Sequence, residues 1–202
     1  MSGIGMTTIF SLKGGVGKTS LSSAIALEME FEKEEIPIIT NDPISPLESV
    51  MGKNRALLIP PDEKFPPSLK TDDDVLIDLG GFVDERSIEI LEKSKQVIVP
   101  TLGSYLSLAG LVGTLEEVKK FNNEITIVLN RVEKKELDKV IEFIRDSYDY
   151  PIFKLKTSKC FENIHYQKKS ISQMMTEEPL MKRAYKEVQA QVWEIINHLK
   201  GV

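Results

Sequence analysis

Residues 7–19, TTIFSLKGGVGKT, constrain the fold more than any other part of the chain. TTIFSLK (7–13) alternates small polar and apolar residues, the pattern of a strand, and runs directly into glycines. From Thr19 to Glu34 the spacing turns helical, with Leu21, Ile25, Leu27, Met29 and Phe31 among alanines and glutamates. A strand that passes into a helix through such a stretch is the setting of a phosphate-binding loop. Gly14, Gly15 and Gly17 remove side chains, so backbone N–H groups can converge on phosphate oxygens, and the helix start adds partial positive charge. The candidate nucleotide-binding stretch is Lys13, Gly14, Gly15, Val16, Gly17, Lys18, Thr19 and Ser20. Lys18 is expected to reach the β- and γ-phosphates, and the Thr19 hydroxyl to hold Mg²⁺. The opening glycine of the usual GxxxxGK[ST] pattern would fall at Leu12; a second lysine, Lys13, and two glycines follow instead.

Strands and helices alternate through the rest of the chain. IPIIT (36–40), VLIDLGG (75–81), QVIVPT (96–101), EITIVLN (124–130) and PIFKLK (151–156) read as strands. Helices are expected over 85–94, 106–121, 134–148 and 180–200, with a short helical turn at 160–167. Residues 41–74 carry six of the ten prolines and read as loop with one short helix near 46–52. Such alternation gives an α/β fold: a mostly parallel, twisted sheet with helices on both faces. Right-handed crossovers then bring the strand ends, and any ligand, to one edge. The 202 residues suit one domain, 1–202, with a single core.

A phosphate loop needs a second carboxylate, at the end of a buried strand, to orient the magnesium shell. Asp78 fits: three apolar residues precede it, and Gly80–Gly81 let the backbone pass close to a γ-phosphate. Asp42, in TNDP (40–43), is the other candidate. It can bond to a magnesium water or position an attacking water, or it can form an Asx turn before Pro43. Thr19, Asp42 and Asp78 are thus the candidate metal residues, the two aspartates through water.

Composition narrows the alternatives. Net charge is −5, which argues against a protein coating nucleic acid with its whole surface and leaves a local basic patch open. The lone cysteine, Cys160, cannot form an internal disulfide or a multi-cysteine metal site, so a reducing, cytoplasmic setting is expected. No apolar run approaches the ~18–20 residues that span a bilayer, and MSGIGMTTIF is no signal peptide. His165 and His198 lack metal-ligand spacing, Trp193 reads as packing, and Cys160 as inert.

KGGVGKT (13–19) resembles the deviant Walker A motif of the ParA/MinD family of P-loop ATPases. TNDP is similar to that family's DxDP switch segment, VLIDLGG to its second acidic strand, and VPTLGSYLSLAGL (99–111) to the segment after the next strand. IVLNR (127–131) resembles the strand whose asparagine contacts adenine, which makes Asn130 and Arg131 candidate base-side residues. The length and compact middle look most like small ParA proteins of plasmid partition. The resemblance implies ATP and Mg²⁺ as ligands, slow partner-stimulated hydrolysis, and Lys13, Lys18 and Asp42 as the catalytic set. It implies that Lys13 reaches across an ATP-dependent homodimer to the phosphates of the other subunit. It further implies non-specific DNA binding, nucleoid association in the ATP state and a ParB-like activator. Two positions depart from the family pattern: Thr40 replaces the first acid, and Ile44 the glutamine that often follows DP. A scaffold without catalysis, a metabolic P-loop enzyme and a MinD-like cargo-positioning ATPase are the alternatives.

MinD-like relatives bind membranes through a C-terminal amphipathic helix. In YKEVQAQVWEIINHLKGV (185–202), Tyr185, Val188, Val192, Ile195, Ile196 and Leu199 share a stripe, and the polar face is nearly charge-balanced. A membrane-surface helix favours a basic face, so packing on the sheet is expected instead. Basic residues gather in the C-terminal half: Lys134, Lys135, Lys154, Lys156, Lys159, Lys168, Lys169, Lys182, Arg183 and Lys186. They are either a DNA-facing patch or scattered solubilising charges.

Overall fold

In the computed structural model, β1 (Met6–Ile9) is buried along its whole length and has a parallel neighbour on each side, β4 (Val75–Asp78) and β5 (Gln96–Leu102). The structure describes residues 3–131 and 134–202, without the side chains of residues 105, 134 and 135; Lys134 and Lys135 of the basic set therefore lie outside the described side chains. Among the described residues the sheet has seven strands, all parallel. Outward from β4 lie β2 (Ile38–Thr40) and β3 (Ala56–Leu58); outward from β5 lie β6 (Ile125–Asn130) and β7 (Ile152–Leu155). Parallel pairing suits strands such as VLID and ITIVLN, whose apolar runs must be covered on both faces.

Among the described residues alternate side chains feed two cores where a single core was expected, because the sheet itself separates its two covered faces. Ile9, Leu76, Ile98 and Val128 meet α1 (Lys18–Phe31) on one face, with α2 (Leu47–Met51) beside it. Three later helices complete that side: α6 (Cys160–Gln167), α7 (Ile171–Glu177) and α8 (Pro179–Lys200). Ile77, Val97, Val99 and Ile127 meet α3 (Glu85–Lys93), α4 (Tyr105–Val118) and α5 (Lys134–Arg145) on the other. The whole stripe expected on the closing helix, from Tyr185 to Leu199, is buried in the first core. Among the described residues no helix is long and apolar enough to cross a membrane.

Three local readings need correction. The first strand ends at Ile9 and does not run to residue 13, because Leu12 N–H donates to Thr114 Oγ1 of α4 instead of to a neighbouring strand. The proline-rich stretch holds an edge strand, β3, too short to register as a pattern. A further helix, α7, precedes the closing one and is capped by Ser170, whose side chain accepts from Gln173 N–H. Sheet order reverses at β1, whose chain turns to one side while β5 pairs on the other. The crevice beyond the end of β1 is the ligand position such sheets favour.

Candidate nucleotide site

Residues 14–17 turn over the end of β1 and deliver the chain into α1. Gly17 sits in the left-handed region at φ 96° and is the N-cap, so any side chain there would be strained. A Cβ at Gly17 would also lie 2.2 Å from Asn130 Nδ2. Asn130, at the end of β6, closes this junction by donating from Nδ2 to Val16 O at 2.9 Å. Its Oδ1 is buried without a partner among the described residues. α3, α4 and α7 are capped by Asp84, Ser104 and Ser170, whereas α1 has neither a side-chain cap nor an acid in its first turn. Its first N–H groups stay open to an anion, and a Cβ on Gly14 or Gly15 would meet nothing within 4 Å.

Asp78 lies beneath the loop, 1% exposed at the end of β4. Thr19 Oγ1 donates to Asp78 Oδ2 at 2.8 Å, and Ser22 Oγ to Asp78 Oδ1 at 3.2 Å. Burial pushes the Asp78 carboxyl up to about 6; Thr19, the Lys18 charge and Ser22 recover only part of that cost, and Asp42 adds to it. Lys18 Nζ approaches Ser11 O at 3.4 Å. Burial lowers the Lys18 ammonium from its ordinary range, while Asp78 and then Asp42 favour its charge. A cation, a hydroxyl and a carboxylate therefore meet at one point, already short of solvation. Added positive charge would relieve Asp78, and phosphate would satisfy Lys18. These residues fit a magnesium nucleotide: a hard cation takes an oxygen ligand such as Thr19 and keeps several waters, to which Asp78 can bond. No cluster of three or more His, Cys, Asp or Glu side chains suited to a metal occurs among the described residues.

Asp42 forms the Asx turn: its Oδ1 accepts from Ile44 N–H at 3.1 Å. Asp42 remains partly exposed beyond β2, within electrostatic reach of Lys18 and Asp78. Thr40, standing where a second acid was expected, donates to Asp78 O at 2.9 Å and accepts from Asp42 N–H at 3.1 Å. The two lysines of the loop diverge. Lys13 leaves the cradle and lies on α4, its Nζ donating to Ser107 Oγ at 3.1 Å. Gly110 makes room: a Cβ there would sit 3.3 Å from the Lys13 side chain.

A family model described as the CobQ/CobB/MinD/ParA nucleotide binding domain matches residues 7–180. The chain belongs to the ParA/MinD family. No curated protein matches it in sequence. Among solved structures it is similar to the septum site-determining protein MinD of Pyrococcus horikoshii complexed with Mg-ADP, with TM-score 0.70 and 15% identity over 97% of each chain. A Borrelia burgdorferi protein assigned to plasmid partition and bound to AMPPNP gives TM-score 0.68 and 19% identity, over 98% of this chain and 99% of that one. An McdA variant of Cyanothece complexed with ATP gives TM-score 0.69 and 15% identity, over 100% of this chain and 98% of that one. At these identities the likeness speaks for the fold.

Within this ParA/MinD chain the fold gathers Lys13 to Ser20, Asp42, Asp78 and Asn130 at one sheet edge. Arg131 is exposed, with φ 55°, and its N–H donates to Leu155 O at the end of β7; no described contact joins its side chain to the loop. Sequence reasoning missed Ser22, Thr114, Ser107 and Asn41. The first three are small hydroxyls on helix faces, with no signature until the fold aims them.

Proposed function

We propose that the chain is a ParA-type ATPase whose ATP state is a homodimer that holds DNA without sequence preference and serves partition with a ParB-like activator. The observation that carries this is the divergence of the two lysines. Lys18 sits over Asp78 and Asp42, whereas Lys13 lies outside its own cradle, against α4. A cation so placed is available to a second subunit's phosphates.

The residues divide the chemistry as follows. The N–H groups of residues 14–20 and Lys18 bind the phosphates. Thr19 and Asp78 would hold Mg²⁺, which, when bound, would supply positive charge against the phosphates. Asp42 orients the attacking water with the oxygen its Asx turn leaves free. Lys13 exchanges a neutral hydroxyl partner for a charged phosphate oxygen in the other subunit, whose full negative charge attracts the ammonium more strongly. Hydrolysis removes that acceptor, and Lys13 returns to Ser107. Without a well-placed arginine finger, intrinsic turnover is expected roughly 10³–10⁵-fold below the stimulated rate.

Lys154, Lys159, Lys168, Lys182, Arg183 and Lys186 are exposed; Lys156 pairs with Glu187 at 2.8 Å, and Lys169 with Glu177. A dimer doubles any patch these residues form, and about 6–10 phosphate contacts change affinity ~10³–10⁵-fold between low and moderate salt. This supports cytoplasmic, nucleoid-associated behaviour in the ATP state. Retention on DNA with a non-hydrolysable ATP analogue, falling steeply with salt and absent with ADP, is the expected result. Equal retention with both nucleotides would overturn the DNA reading. Retention with neither would favour a protein cargo.

A further inference from the structure

The segment Thr40–Ser45 contains a link that the proposed chemistry does not use. Asn41 is 1% exposed, between the end of β2 and the residues that follow Asp78. Its Oδ1 accepts from Gly80 N–H at 2.7 Å. That donor fixes the amide orientation, because a backbone N–H requires the oxygen. The two hydrogens of Asn41 Nδ2 are then left in the interior with no acceptor among the described residues, and Ser45 Oγ in the same loop is also buried without a partner there. Buried donors without acceptors are costly and demand an explanation. Gly80–Gly81 in turn rests on the phosphate loop: a Cβ on Gly81 would lie 3.3 Å from Leu12 O and 3.5 Å from Ser11 O. A Cβ on Gly80 would press on Phe82 at 2.6 Å and reach Asn41 Oδ1 at 3.4 Å. One carboxamide thus ties the Asp42 loop to the Gly80–Gly81 loop, and through it to the backbone of the phosphate cradle.

We infer that Asn41 is a positioning residue that joins the Asp42 loop to the Gly80–Gly81 loop, and that its Nδ2 gains an acceptor when a nucleoside triphosphate is bound and not with the diphosphate. Asn41 Oδ1 acts in both states, as the hinge pin between the loops. Asn41 Nδ2 acts in one state and reports the terminal phosphate to Asp42, its neighbour in sequence. The inference rests on the reading of this site as a nucleotide switch and adds to it how the switch is sensed.

Two variants separate the two halves of the amide. Asn41→Asp keeps an oxygen for Gly80 and removes the donor; Asn41→Ala removes both. In the nucleotide-free chain, amide hydrogen exchange at Gly80 should be about tenfold faster in the Ala variant and within about threefold of wild type in the Asp variant. In both variants the ratio of affinities for a non-hydrolysable ATP analogue and for ADP should fall about tenfold or more, with ADP affinity within about threefold of wild type. A merely structural role would move both nucleotides together. An equal loss for both, an unchanged ratio, or unchanged Gly80 exchange in the Ala variant would each overturn the inference. Should the Asp variant fail to fold, the Ala variant carries both readouts. Wild type that binds neither nucleotide would instead sink the reading of the site itself.

Discussion

Replacing Asp78 with asparagine is expected to stabilise the nucleotide-free chain while abolishing its use of magnesium. Asp78 is held almost without solvent, and burial lifts its carboxyl from 3.8 to about 6. That gap corresponds to about 3 kcal/mol acting against folding once the group is ionised. Asparagine removes the charge and keeps the shape. Its oxygen can take the Thr19 hydroxyl, and its NH₂ can donate to Ser22 Oγ, which already donates to Lys18 O at 3.0 Å. The value of about 6 already contains the attraction of Lys18, so the net increase at neutral pH should be about 2–3 kcal/mol. The sign with pH follows from the raised value. The folded chain holds this proton more tightly than the unfolded chain does. The contribution of Asp78 to wild-type stability therefore falls as pH rises from about 4 to about 6 and is constant above that. The variant should match wild type near pH 4 and exceed it at about pH 7.5, in urea melts with EDTA present. Its ATP affinity should no longer respond to Mg²⁺. A variant less stable at neutral pH, or a difference that does not vary with pH, would refute the account of Asp78 as a strained, waiting ligand.

Gly17→Ala forces a Cβ into the left-handed region and onto Asn130 Nδ2, so about 2–3 kcal/mol of stability and most nucleotide affinity should go together, read by urea melts and ATP titration. Glu28 is fully buried in α1 and accepts from Ser172 N at 2.8 Å, Ser172 Oγ at 2.6 Å and Trp193 Nε1 at 2.9 Å. Glu28→Ala strands these donors on α7 and α8 and should destabilise the fold by about 3 kcal/mol, with a shift in Trp193 fluorescence and no selective loss of nucleotide.

The parts of the site that the sequence reveals are those where chemistry dictates residue type at fixed spacing. Gly17, Lys18 and Thr19 are read directly, and Asp78 follows from its place at the end of an apolar run. Other parts depend on distant neighbours. Nothing in the string TNDP singles out Asn41; its partner is Gly80, and a one-letter string does not pair them. Glu28 is one of several glutamates in a helical stretch with nothing to single it out, but α1 is covered on nearly all sides, so Ser22, Ser23 and Glu28 are buried with Leu21 and Ile25. β3 is three residues among prolines and gains its structure only by pairing with β2. The place of Lys13 against Ser107 likewise comes from packing, since Gly110 opens the space it occupies.

Sizing by light scattering in a non-hydrolysable ATP analogue and in ADP, wild type beside Lys13→Ala, tests the account most directly. Wild type should double in mass with the ATP analogue alone, and the variant should stay single with either nucleotide while binding both and keeping stability within about 1 kcal/mol of wild type. A mass indifferent to nucleotide, or a variant that doubles as wild type does, would contradict it.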